Sequence, residues 1–280
     1  MSSLPRDRAS DVVRRLIAAG FAPPAGSPRF LGEGCDFRAW RIGGRVYRIA
    51  KGERGVRVLE REVALGRAIA PALPCPISYV ERCALDEGIA EYVFVEGRPA
   101  HRCEAGEGLA RELAAFLGAL HGFDASALDV EPLEAPIAAW QEVVYDELDA
   151  ISAEPWMRDA LDAAPDDGGA RVLTHSDLTP EHVLVDERGH LAAVIDWSDA
   201  RISDPALDLA GAWLFGGAGF AERVLDLYRG PRDPELALRA RHLGLCAAIH
   251  TAYLGEVERR EDWQAIGRRA LGALRARYVP

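Results

Sequence analysis

Residues 174–208, reading THSDLTPEHVLVDERGHLAAVIDWSDARISDPALD, constrain this chain more than any other stretch. Two short apolar runs, 183–185 and 191–195, flank Asp186-Glu187-Arg188-Gly189. Such runs around a polar turn ending in glycine predict a β-hairpin. His175, Ser176, Asp177 and His182 precede its first strand, and Asp196 follows its second. A hairpin of this length folds the chain back on itself, so Asp177, His182 and Asp196 are expected to converge at one end of it. Polar groups held at strand ends sit where reactive loops are usually carried.

Protein kinases place a catalytic Asp in a loop, a metal-binding Asn five residues later, and a second metal-binding Asp at the end of a short hairpin. Asp177, His182 and Asp196 stand at those places here. The elements HSDL, EHVLVD, VIDWSDA and DPALDLA, in this order and at short, compatible spacing, resemble the aminoglycoside phosphotransferase family. The resemblance covers most of the chain, with the outer parts matching in pattern only. His182 at the Asn place is similar to the macrolide kinases and to some aminoglycoside 2″-kinases of that family. The resemblance implies an α+β, protein-kinase-like fold of two lobes. A small β-rich N-lobe, residues 1–96, would bind nucleotide, and a larger, mostly helical C-lobe, residues 97–280, would carry catalysis and acceptor binding. It also implies transfer of the γ-phosphate of ATP or GTP to a small-molecule hydroxyl, with Mg²⁺ as cofactor. In that scheme Asp177 accepts the hydroxyl proton, Asp196 holds the metal, and His182 completes the metal or phosphate shell. His175 braces the loop, and Asp208 anchors its backbone.

Elsewhere the chain fits this frame in order. Residues 11–19 put Val12, Val13, Leu16 and Ile17 on one helical face, with Ser10 as cap and Gly20 as stop. From residue 29 the pattern is strand, the loop Gly32-Glu33-Gly34-Cys35-Asp36, strand, a Gly43-Gly44 turn, and strand. Glycine lets backbone N–H groups approach anions, and the resemblance implies that Gly32 and Gly34 cover nucleotide phosphates. It further implies a phosphate-binding cation on the third strand, 45–50. Arg48 matches the register of the family lysine. Lys51, the chain's single lysine, lies three residues on and points to the opposite face of a regular strand. Arg48 is favoured; Lys51 is retained because strand ends are often irregular. The family's acidic partner for this cation is expected at Glu62, in a helix over 56–69, with Glu60 on another, solvated face.

Strands are expected at 77–82 and 89–95, with Glu96-Gly97-Arg98-Pro99 as the connector. Trp40, Tyr47, Tyr92 and Phe94 read as core. Helices are expected at 109–120, 138–151, 205–214, 220–228, 235–253 and 263–278. His121 reads as structural, and Glu142, Asp146, Glu147 and Asp149 as a solvated helix face in preference to a contact for a cationic substrate.

A chain of 280 residues can bury a large core in one domain or two lobes. Its net charge of −11 argues against nucleic acid, which demands basic surface. That charge is compatible with a cationic acceptor and equally with plain solubility. The N-terminus MSSLPRDRASD lacks the apolar core of a secretory signal, and no apolar run approaches the ~18 residues of a membrane helix. Five cysteines, at 35, 75, 83, 103 and 246, make neither a zinc pattern nor a disulfide framework. These features point to the cytoplasm, with neither nucleic acid nor membrane as partner, and leave the oligomeric state open. The acceptor also stays open among aminoglycosides, macrolides, amino alcohols and sugars. A metallohydrolase using His175, Asp177, His182 and Asp196 would suit zinc, but it leaves the glycine loop, Arg48 and Glu62 without a role. A non-catalytic binding protein is the third alternative, and it would not need Asp177 and Asp196.

Overall fold

Strand alternation organises the first of two units into which the chain divides, residues up to 71 together with 77–95. The computed structural model describes residues 9–279; most of the N-terminal stretch read above for a secretory signal lies outside them. In the first unit, β1 (Arg29–Glu33), β2 (Phe37–Ile42), β3 (Arg45–Ala50), β4 (Val80–Ala84) and β5 (Ile89–Val93) form one antiparallel sheet, ordered β1-β2-β3-β5-β4. Tyr47 and Ile49 of β3 point to the face carrying Trp40, Ile42 and Ile89. That face meets Val12 and Leu16 of helix α1 (Ala9–Ala18), with Phe21 edge-on to Tyr47. Val46 and Ala50 lie against the other core, where Phe37, Ala90 and Tyr92 meet Val58 and Leu59 of α2 (Glu53–Ile69). A period of two thus gives the sheet two apolar faces, each covered by one helix.

Local boundaries differ from expectation in ways that end effects explain. Ser10 lies inside the first turn of α1 rather than capping it. Gly32 belongs to β1, where a register shift between Phe30 and Gly32 marks a bulge. Helix α2 starts at Glu53, three residues before 56, with an acidic side chain in its first turn. Strand β4 starts at Val80 rather than 77, and β5 stops at Val93.

The second unit, residues 72–76 and from 96 on, is mostly helical. Arg98–Pro99, expected as a connector, is strand β6, paired with Val185 and Leu184. Further on come α3 (Glu107–His121), α4 (Pro136–Glu147) and α5 (Pro155–Asp162), then β7 (Val172–Thr174), β8 (Val183–Val185), β9 (Leu191–Val194) and β10 (Arg201–Ser203). The chain ends in α6 (Ala206–Gly216), α7 (Ala218–Leu227), α8 (Leu236–Val257) and α9 (Glu261–Tyr278). Strands β6, β8 and β9 form one sheet, and β7 pairs with β10. Helix α6 is buried at every residue from Ala206 to Phe215 and packs against α7, α8 and α9. An apolar, all-round buried helix is the centre of a bundle rather than its surface. Among the described residues, no helix is long and apolar enough to cross a membrane.

Two buried polar groups mark α8. Arg239, 2% exposed, donates Nε to Asp204 Oδ2 at 2.5 Å and Nη2 to Asp233 Oδ2 at 2.6 Å. Its guanidinium fork can serve two carboxylates at once, which a point-like ammonium does less well. His242, 1% exposed, has no hydrogen-bond partner on either ring nitrogen among the described residues. Burial pushes its pKa down to about 4 from the ordinary 6.5, against a weaker upward pull from Asp167. The unfolded chain therefore binds a proton at His242 that the folded chain refuses between those two values. The stability lost as pH falls from 6.5 to about 4 amounts to about 3 kcal/mol from this residue alone. His242→Leu should lack that component: as pH is lowered from 7 to 4, the urea-denaturation midpoint of the wild type should fall relative to that of the variant.

Candidate active site

The hairpin of β8 and β9 turns through Asp186, whose carboxylate accepts the backbone N–H groups of Arg188 and His190 at 2.8 and 2.9 Å. Gly189 takes φ 82° there, a conformation that costs glycine little. At the open end, Ile195 N donates to His182 O at 2.9 Å. That bond ties the segment before the hairpin to the one after it, and brings Asp177, His182 and Asp196 together.

Two residues of this region hold left-handed backbone without being glycine, Ser176 at φ 68° and Asp196 at φ 63°. Each costs on the order of 1–3 kcal/mol unless its surroundings over-determine it. For Ser176 the surroundings are Asp208, fully buried in the first turn of α6. Its carboxylate accepts His175 N and Ser176 N, each at 2.8 Å, and His121 Nε2 at 3.0 Å. Donation from Nε2 leaves His121 Nδ1 to accept the Tyr228 hydroxyl at 2.8 Å. One turn on, Gly211 stands against the Leu178 carbonyl so closely that a β-carbon would collide with it. Glycine is what lets α6 approach the loop.

His175 is fully buried. Its Nε2 donates to Ile195 O at 3.0 Å, its Nδ1 accepts Asp177 N at 3.3 Å, and its ring meets Trp197 edge-on at 4.7 Å. Burial lowers its pKa, which keeps the ring neutral. His182 directs Nδ1 at the Asp177 carbonyl oxygen, 2.8 Å away, so the Nδ1–H tautomer leaves the Nε2 lone pair free. Nε2 stands 3.9 Å from Asp196 Oδ2, while Asp196 Oδ1 accepts Ser198 Oγ at 2.7 Å.

Charge is concentrated here. Burial raises the pKa of Asp177, helped by Asp199 and Asp196 and opposed by His182 and His250. The Asp177 side chain is still 42% exposed, so solvent tempers that shift. For His182 burial works against the charged ring, but the carboxylates of Asp177 and Asp196 outweigh it and raise its pKa. A divalent cation at the carboxylates would reverse that balance. The donor set suits one: two atoms 3.9 Å apart can both reach a cation at ~2.1 Å. Oxygen is the better donor for Mg²⁺, so Asp196 is the stronger ligand of the two.

The remaining candidates all belong to the first unit. Arg48 Nη1 contacts both oxygens of Glu62, at 2.9 and 3.3 Å, and Tyr92 donates its hydroxyl to the same carboxylate. The Arg48 guanidinium lies 4.0 Å over the Phe37 ring. Lys51 bonds Glu33 Oε1 at 2.8 Å and the Gly34 carbonyl at 2.9 Å, and so braces the glycine turn instead. A β-carbon on Gly32 or Gly34 would meet nothing within 4 Å, and neither residue has positive φ. The backbone there is open, and its glycines are not demanded by local geometry.

Two constellations carried no sequence signal. Glu147, expected on a solvated face, is 6% exposed and accepts His250 Nδ1 at 2.7 Å. Glu142, Asp146 and Asp149 on the same stretch are exposed. Arg260, in the turn between α8 and α9, binds Glu181 Oε1 at 2.5 Å and Asp262 Oδ2 at 2.8 Å, and lies 3.9 Å over Trp263. His101, Glu181 and Asp262 are near enough to one another for a metal, but the Arg260 guanidinium already supplies positive charge to both carboxylates. The turn is thereby strapped to the residue preceding His182.

The sequence profile of the phosphotransferase enzyme family matches residues 27–245. The chain is 35% identical over 143 residues to the viomycin phosphotransferase of Streptomyces vinaceus, covering 44% of this chain and 45% of that protein. It is also 35% identical over 60 residues to the uncharacterized protein YcbJ of Bacillus subtilis, covering 21% and 20%. Each alignment thus spans less than half of the relative. Among solved structures, the macrolide 2'-phosphotransferase MphH of Brachybacterium faecium superposes with a TM-score of 0.66 at 24% identity, over 93% of this chain and 97% of that one. The GDP complex of aminoglycoside 2'-phosphotransferase-IIIa gives 0.72 at 20%, over 97% and 99%. A streptomycin–ATP–APH(2")-IIa ternary complex gives 0.61 at 17%, over 97% of each. At these identities the likeness speaks for the fold, an α+β kinase-like one.

The buried carboxylate of Asp208 generates a direct expectation. Asp208→Ala leaves three donors without an acceptor, and should lower stability by about 2–5 kcal/mol. Chemical denaturation at neutral pH measures it.

Proposed function

Because the chain belongs to the phosphotransferase enzyme family, we propose that it moves the γ-phosphate of ATP or GTP to a hydroxyl of a small-molecule antibiotic of aminoglycoside or macrolide type. The observation carrying this reading is the convergence of Asp177, His182 and Asp196 on one loop-and-hairpin end, braced by a fully buried Asp208. In this reading residues 1–96 bind the nucleotide and residues 97–280 hold the catalytic groups and the acceptor. A nucleoside triphosphate donor puts the reaction in the cytoplasm.

Asp177 orients the acceptor hydroxyl and takes its proton late, because the transition state of phosphoryl transfer is loose. A raised carboxyl pKa makes it a better proton acceptor at that moment. Asp196 and His182 would hold Mg²⁺, which when bound neutralises charge on the phosphate oxygens. Arg48, fixed by Glu62, offers a cation for the donor phosphates, and the lack of side chains at Gly32 and Gly34 leaves the turn, closed by the Gly34 N–H to Phe37 carbonyl bond at 3.0 Å, open to close approach by the same anion. Lys51 is the alternative phosphate contact, but its ammonium is engaged with Glu33 and the Gly34 carbonyl. The acidic net charge of −11 favours a cationic acceptor.

A coupled nucleotide-turnover screen tests the reading, with ATP and GTP against streptomycin, a macrolide, viomycin, an amino alcohol and a hexose. Turnover of only the amino alcohol or the hexose would identify a metabolite kinase of the same fold. No turnover with any acceptor would overturn the proposal.

Three variants assign the roles. Asp177→Asn should fold normally and lose about 10²–10⁴-fold in transfer, while nucleotide affinity stays within a few-fold. Asp196→Ala should abolish the Mg²⁺ dependence of nucleotide binding, read by calorimetry with and without the ion. Arg48→Ala should weaken nucleotide binding more than Lys51→Ala does, and it should also cost about 3–5 kcal/mol of stability by stranding the buried Glu62. The order of the two dissociation constants decides between the cations.

A further inference from the structure

The segment from Asp177 to His182 is largely bonded to itself. Thr179 N donates to Asp177 O at 2.9 Å, His182 N to Thr179 O at 3.1 Å, and His182 Nδ1 to Asp177 O at 2.8 Å. Bonds inside a segment set its shape, while contacts outside it set its place. Ahead of the segment, Asp208 supplies an outside contact through the backbone of His175 and Ser176. Behind it, Ile195 N meets His182 O. Between these two, Pro180 O accepts His101 N at 3.3 Å, and the Glu181 carboxylate meets Arg260.

Arg260 is itself fixed from several sides. Its backbone N–H closes α8 on Gly255 O at 2.8 Å, and Arg259 N bonds Glu256 O at 3.4 Å, the two bonds of a Schellman end. That motif usually places glycine at its left-handed position, yet Arg259 holds it at φ 56°. A β-carbon at Gly255 would collide with Gln264, and one at Gly267 with Ala252, so α8 and α9 meet closely beyond the turn. Arg260 Nε and Nη2 grip the two oxygens of Asp262 at 3.3 and 2.8 Å, with the guanidinium 3.9 Å over the Trp263 ring. A planar fork held on both oxygens of one carboxylate keeps its direction. From there Nη2 also donates to Glu181 Oε1 at 2.5 Å. Both side chains of that pair are about two-thirds or more withdrawn from solvent, at 34% and 27% exposed, unlike the free surface pairs that contribute little.

We propose that Arg260 is a positioning residue for His182: through Glu181 it holds the end of the loop from which His182 Nε2 faces Asp196, and so sets the fit of the Mg²⁺ site. The inference rests on the phosphotransferase reading above. A device serving only the turn between α8 and α9 would be complete with Asp262 and Trp263. The bond to Glu181 adds nothing to that turn, and it ends beside a candidate metal ligand. Mg²⁺ tolerates little departure from octahedral geometry, so it loses affinity when the backbone beneath a ligand shifts.

Calorimetry on the full chain tests this without turnover. The dissociation constant of ADP or GDP, whichever binds, is measured at saturating Mg²⁺ and in EDTA, and the ratio of the two is the metal's contribution. Arg260→Ala should cut that ratio about tenfold, the low end for losing an outer-shell partner, because His182 is the weaker of the two ligands. The constant in EDTA should not change. Arg260→Lys, which keeps the charge and loses the fork, should fall between. Glu181→Ala should match Arg260→Ala, and the double variant should be no worse than either, since the two residues act as one unit. A purely structural turn would shift the thermal midpoint and leave the ratio alone. An unchanged ratio in Arg260→Ala overturns the proposal, as do additive losses in the double variant; if Arg260→Ala does not fold, an unchanged ratio in Glu181→Ala does so. A wild type that binds neither nucleotide, or whose binding ignores Mg²⁺, fails the phosphotransferase reading itself, and this inference with it. A Mg²⁺-dependent wild type with indifferent variants fails this inference alone.

Discussion

The carboxylate of Asp208 is the interaction on which the candidate site depends. It is fully buried, a position that an ionised group tolerates only with its oxygens occupied. Two backbone donors of the loop and one imidazole occupy them. The same bonds that stabilise the charge hold Ser176 in a left-handed conformation and so aim Asp177. Tyr228 completes the chain of donors through His121, which extends the brace from α6 to the residue following α7.

Helix α6 gives that carboxylate a rigid base. Its burial on all sides comes from an apolar sequence with one charge, and that charge is Asp208. Gly211 brings the helix up to the Leu178 carbonyl, and Trp213 fixes α8 through Gly244. A helix held on all sides cannot yield without repacking its neighbours, because protein interiors are close-packed. The loop therefore inherits the rigidity of the bundle.

The first unit shows the same logic with opposite sign. Arg48 is nearly buried, and Glu62 with the Phe37 ring keeps its guanidinium in one orientation. Tyr92 adds a donor to the carboxylate that Arg48 does not saturate. Breaking such a pair from either side strands the other charge. Lys51, three residues along, has no comparable scaffold and serves the glycine turn.

What the sequence by itself determined was local in origin. Short apolar runs around Asp186–Gly189 specified the hairpin, and the hairpin length brought Asp177, His182 and Asp196 to one end. The family resemblance implied a pairing of Arg48 with Glu62, and the two side chains meet at 2.9 Å. The tertiary structure alone decided the rest. Glu147 carries the same chemistry as the exposed Asp146 beside it, and only a partner 103 residues away made it a buried one. Glu181 and Arg260 are separated by 79 residues, and Arg98–Pro99 became a strand because β8 offered an edge to it. Turns and alternation are written in neighbouring residues, whose sterics act within a few bonds. The choice of a long-range partner depends on which surfaces the whole chain buries together, and no short stretch contains that information.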